Sequence, residues 1–87
     1  MENLNNTLYF TVEKEQMFLV KDILKMVYQS LSVKGYNPVY QIVGYIMSGD
    51  PTYITSHNNA RSLIMKVERD EIIEELLGDY IERNLKH

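Results

Sequence analysis

The sequence predicts an all-α protein: a compact bundle of four to five short helices with a flexible or extended N-terminal arm, homodimeric. Three observations carry this. Apolar residues recur at steps of three and four along most of the chain, the helical period. Between those runs fall Gly35, Asn37-Pro38, Gly49 and Asp50-Pro51, the residues that stop and start helices. Period-two alternation occurs once, over Thr7–Val12, and no second strand signal pairs with it. The chain divides into an arm, 1–11, and a helical domain, 12–87.

The arm holds Asn3, Asn5 and Asn6, poor helix formers, and has little to bury. The first helix is expected over Glu13–Val33. Met17, Val20, Leu24, Val27 and Leu31 form its apolar stripe, widened by Ile23 and Tyr28, and Lys21, Asp22, Lys25 and Gln29 face water. Gly35 ends it by taking the left-handed conformation that closes a helix without strain. Asn37 caps the second helix and Pro38 suits its first position. Ile42, Val43, Ile46 and Met47 supply the apolar face of that helix, and Gly44 marks a close helix–helix contact.

Asp50-Pro51 starts a short helical turn through Tyr53-Ile54. Thr55–Asn59 reads as a polar loop, and a helix begins near Asn59 or Ala60 with Leu63, Ile64 and Val67 in helical register. Ile72, Ile73, Leu76, Leu77, Tyr80, Ile81 and Leu85 continue the period. The sequence leaves two forms open here, one long helix or two broken near Arg69-Asp70 with Asp70 as cap. Acids early (Asp70, Glu71, Glu74, Glu75) and bases late (Arg83, Lys86, His87) complement the dipole of a helix from Asp70 onward. Gly78 lies inside that helix, where it weakens the structure relative to Ala.

A single core in an 87-residue chain is marginal, and there is no Cys to staple it. Self-association is then the leading way to bury more surface. No apolar run reaches the length of a membrane span, no export signal opens the sequence, and Cys is absent, which together point to the cytoplasm without membrane insertion. A net charge of −3 argues against a general nucleic-acid binder.

No catalytic, metal or cofactor site is expected. His57 is the only internal base of its kind, and no Ser stands in a nucleophile-elbow context. Glu71, Glu75 and Asp79 have helical spacing but no His beside them, and the glycines are isolated rather than phosphate-cradling. What remains is a binding surface. Tyr36, Tyr40, Tyr45 and Tyr53 crowd one stretch, as at subunit interfaces. Arg61, Lys66 and Arg69 form a basic stripe ahead of Asp70–Glu82, which has six acids and no base. That stripe either pairs within the chain or docks an acidic or phosphorylated segment. Thr7, in an extended arm, is placed as kinases accept their substrates, and phosphate there would add nearly two negative charges.

The run Lys34-Gly35-Tyr36-Asn37-Pro38-Val39-Tyr40-Gln41-Ile42-Val43-Gly44-Tyr45-Ile46-Met47-Ser48-Gly49-Asp50-Pro51 resembles the signature of the IreB/ReoM family. So does Glu68-Arg69-Asp70-Glu71-Ile72-Ile73-Glu74-Glu75-Leu76, and with Thr7 and Ala60-Arg61 the resemblance covers nearly the whole chain. It implies a small helical homodimer of Gram-positive bacteria, a cytoplasmic phosphoprotein and substrate of the Ser/Thr kinase with extracellular PASTA domains. Such proteins influence cell-wall synthesis and antibiotic resistance. In one branch they promote degradation of the first committed enzyme of peptidoglycan precursor synthesis by a Clp protease, and phosphorylation relieves this.

The phosphoacceptor of the family matches Thr7. A second, upstream acceptor of some members has no counterpart, since Leu4 and Asn5 stand there. Where the family reads Ile-Pro-Arg-His-Lys-Asp-Ala-Arg, this chain reads Ile54-Thr55-Ser56-His57-Asn58-Asn59-Ala60-Arg61, and Met65 replaces a base. His57, Arg61, Lys66 and Arg69 remain as the partner-binding set. Two other classes compete: a helix-turn-helix DNA-binding regulator built on Asn37–Met47 and Pro51–Ile54, and a scaffold that does not switch.

Overall fold

The computed structural model describes residues 20–86. The arm, its candidate strand over Thr7–Val12, Met17 and His87 lie outside the described residues. Four helices are present among the described residues: α1 (20–33), α2 (Pro38–Ser48), α3 (Ala60–Ile64) and α4 (Arg69–Asn84). Two 3-10 turns, Pro51–Tyr53 and His57–Asn59, join α2 to α3, and these residues contain no strand.

Each boundary has a local chemical cause. After α1, the Tyr36 N–H donates to the Leu31 carbonyl at 2.9 Å and the Gly35 N–H to that of Ser32 at 3.0 Å, with Gly35 at φ +84°. This is a paired C-terminal closure, and it needs the left-handed residue. Asn37 Oδ1 accepts the Tyr40 N–H at 3.0 Å and Pro38 occupies the first turn of α2. Asp50 repeats the device for the next turn, accepting from the Thr52 N–H at 3.0 Å and from Thr52 Oγ1 at 2.8 Å.

The expected loop at 55–59 is partly a 3-10 turn, and its backbone runs left-handed through two consecutive residues, Asn58 (φ +53°) and Asn59 (φ +62°). Asn tolerates that region better than most residues that carry a Cβ. The chain does not continue as one helix from Ala60. It breaks over 65–68, and the cap of α4 is Glu68 rather than Asp70. Glu68 and Glu71 form a reciprocal capping box, in which the Glu68 N–H donates to Glu71 Oε1 at 2.9 Å.

The core gathers Val20, Ile23, Val27 and Leu31 of α1 with Tyr45, Ile54, Ala60, Ile64, Val67 and Ile72. Ile23, Leu31, Ile54, Ile64 and Ile72 are almost wholly enclosed, and each such side chain stabilises the fold by roughly 1.5–3 kcal/mol. Several residues assigned to apolar faces stay outside: Tyr28, Val43 and Met47 are 56%, 49% and 78% exposed, and Ile73, Leu76, Leu77, Tyr80 and Leu85 of the C-terminal run are exposed as well. Gly44 does mark a close approach, but to the ring of Tyr53 in the following turn and not to another helix. The Gln41 amide reinforces that corner by donating to the Tyr53 carbonyl at 2.7 Å. Nothing in the structure explains Gly78, whose missing Cβ would meet open space.

Candidate interaction site

Arg61, Lys66 and Arg69, expected to share a helical stripe, and His57, expected in the loop before it, lie on separate pieces of backbone. His57 opens the second 3-10 turn, Arg61 is in α3, Lys66 is in the break after it, and Arg69 is the first residue of α4. One continuous helix would have aligned the last three, and the break at 65–68 prevents it. Both arginines are tied to backbone. Arg61 Nε donates to the Ile54 carbonyl at 2.8 Å, and Arg69 Nη1 donates to the Ile46 carbonyl at 2.8 Å. His57 is half-buried, with its N–H donating to Thr55 Oγ1 at 3.2 Å and its carbonyl accepting from Ala60. Lys66 is exposed and makes no ion pair among the described residues.

The carboxylates around these cations are largely engaged as well. Asp50 is held below the ordinary carboxylate range, first by the Thr52 N–H, then by Thr52 Oγ1, with a smaller attraction from Arg61. Glu71 serves the capping box, and Glu75 lies 3.8 Å from Lys21 of α1. No group of three or more His, Asp or Glu side chains converges as a metal cage among the described residues, and no described helix is long and apolar enough to cross a membrane.

The tyrosines divide too. Tyr45 is core, Tyr53 packs over Gly44, and Tyr36 and Tyr40 face solvent. Pro51–Tyr53, the second element of the imagined helix-turn-helix, is a three-residue turn, whereas such readers lay a full helix in the major groove.

A different feature, with no direct sign in the sequence, is an apolar groove of about 340 Å³ between α1, α2 and α4. Leu24 and Tyr28 form one wall, Val39, Ile42, Val43 and Ile46 another, and Leu76 closes it from α4. Tyr40 and Met47 of α2 and Ile73, Leu77 and Tyr80 of α4 are also exposed, so these two helices carry more apolar surface than the lining residues alone. A surface of this kind marks an interaction face. Its only trace in the sequence is that α2 and α4 have apolar residues on more of their circumference than one buried stripe needs.

Comparison with known proteins agrees with the resemblance. The chain is 66% identical over 86 residues to a UPF0297 protein of Lachnoclostridium phytofermentans, covering 99% of this chain and 98% of that one. It is 59% identical over 78 residues to a UPF0297 protein of Acetivibrio thermocellus, covering 90% and 87% respectively. The family model described as IreB regulatory phosphoprotein matches residues 5–82. A match over nearly the full length, including Thr7, the α2 run and the start of α4, places the chain in a family of regulatory phosphoproteins: it belongs to the IreB family.

Proposed function

We propose that this chain is a dimeric regulatory phosphoprotein, switched at Thr7 by a PASTA-domain Ser/Thr kinase, that controls cell-wall synthesis through contacts with protein partners in the cytoplasm. The observation that carries the reading is the family match across residues 5–82, which spans the candidate acceptor as well as the helical body. By the same resemblance, the downstream partner is a Clp protease or the precursor enzyme whose degradation it governs. His57, Arg61, Lys66 and Arg69 are the proposed partner-binding residues.

The groove supports the dimer. It is lined by Leu24, Val39, Ile42 and Leu76, apolar side chains that a second copy would cover. An isologous pairing places the same face of both copies together, so apolar surface meets apolar surface without a separate complementary patch.

Incubation with a PASTA-type kinase followed by mass spectrometry tests the switch. Phosphate on Thr7 is expected, and its absence overturns the assignment. Pulldowns with Thr7→Ala and Thr7→Glu should recover different amounts of partner, and equal recovery removes the switching role. For the dimer, light scattering of the wild type and of Val43→Glu should give a dimer and a monomer; a monomeric wild type at micromolar concentration excludes the pairing.

A further inference from the structure

We propose that Arg69 is a positioning residue for the apolar groove, a latch that fixes the distance between two of its walls without lining it. This rests on the reading of the groove as the self-association face. The last turn of α2 leaves carbonyls that its own helix cannot satisfy. Ser48 Oγ donates to the Gly44 carbonyl at 2.7 Å, and the Gly49 N–H donates to that of Tyr45 at 2.7 Å. The Ile46 carbonyl receives Arg69 Nη1 from α4, 23 positions away, at 2.8 Å.

Three features argue that this contact is built into the fold. First, α2 has no basic residue in its own last turn, where a cation is favourable, so Arg69 supplies from another helix the charge that α2 lacks. Second, Arg69 is the first residue of α4, where a cation opposes the helix dipole; the contact with α2 gives it a reason to be there. Third, Gly49 is shaped for it. A Cβ on Gly49 would lie 3.0 Å from Arg69 Cζ, and the same residue must hold φ +76° to close α2.

The latch joins the walls directly. Ile46, whose carbonyl is held, lines the groove with its side chain, and Leu76 closes the groove from the helix that Arg69 begins. Glu68, Asp70 and Glu71 surround Arg69 in sequence, yet Arg69 Nη1 goes to the neutral Ile46 carbonyl of α2. Lys25, exposed on α1 and outside the partner-binding set, is the natural control for a basic residue lost without the latch.

The test compares the full-length wild type, Arg69→Gln, Arg69→Lys and Lys25→Gln by sedimentation equilibrium and amide hydrogen exchange. Arg69→Gln should raise exchange at the Gly49 and Asp50 amides about tenfold, as expected for loss of one charged hydrogen bond, and weaken self-association by up to that factor. Lys25→Gln should match wild type in both. Arg69→Lys keeps the charge but not the planar fork and should fall between, which also decides the matter if Arg69→Gln loses its helical circular dichroism. A monomeric wild type overturns the self-association reading. A dimeric wild type whose arginine variants associate and exchange like it overturns the latch alone, as does a change in only one of the two measurements.

Discussion

Over 20–33, α1 buries Val20, Ile23, Val27 and Leu31, whereas the 16-residue α4 buries Ile72 alone and leaves Ile73, Leu76, Leu77 and Tyr80 45–55% exposed. Both helices carry apolar residues at helical spacing, and from sequence they look alike. The difference is what packs against them. The inner stripe of α1 meets Ile54, Ile64 and Ile72, while most of the apolar surface of α4 faces outward with only its first turns anchored. Helical periodicity therefore reports which residues could be covered, and the tertiary and quaternary arrangement decides which of them are.

The largest expected effect tests that contrast directly. Ile72→Ala should cost about 2–5 kcal/mol in urea unfolding, because the site is fully enclosed. Leu77→Ala, on the open side of the same helix, should cost less than about 1 kcal/mol when measured at concentrations where the chain is monomeric. Equal losses would mean that the outer face of α4 is already covered within one chain.

The next effect sets two glycines against each other. Gly44→Ala pushes a methyl into the ring of Tyr53 and should destabilise by about 1–3 kcal/mol. Gly78→Ala, in exposed helix with nothing near the new methyl, should stabilise by roughly 0.5–1 kcal/mol. Thermal melts that move in the same direction for both would erase the distinction between a packed corner and an open helix.

A polar cap away from both helix faces should give the smallest effect. The folded-state value of Asp50 is lowered from its usual 3.8, so its contribution is present above that value and is lost as pH falls through the lower, folded one. The contribution of Asp50 should be constant near neutrality and be lost in acid. Asp50→Asn should flatten that part of an acid titration, and an unchanged acid limb would remove the role.

Much of the fold is legible in the sequence where a single residue type has one strong local reason to be present. Asn37-Pro38 and Asp50-Pro51 start their elements as expected, and Gly35 and Gly49 both stand at positive φ. Legibility fails where the cause is distant or the residue ambiguous. Glu68 is not a common cap, so the start of α4 reads more naturally at Asp70, and only the reciprocal bond with Glu71 reveals the box. Arg61 and Arg69 look like free cations because their partners are backbone carbonyls, which every sequence offers and none advertises. The groove escapes for the same reason as the exposed face of α4: a periodic pattern names no partner. Thr7, legible from its place in the arm and from family likeness, lies outside the described residues.

The paired left-handed residues Asn58 and Asn59 carry a consequence for how the protein tolerates change. Both are exposed, and surface loops ordinarily accept nearly any residue. Here a branched or bulky side chain would have to be held at positive φ, at a cost of roughly 1–2 kcal/mol per position, while glycine would relax both. In a saturation-mutagenesis profile, this stretch of surface should therefore show the narrow substitution tolerance of interior positions, with glycine as the favoured replacement.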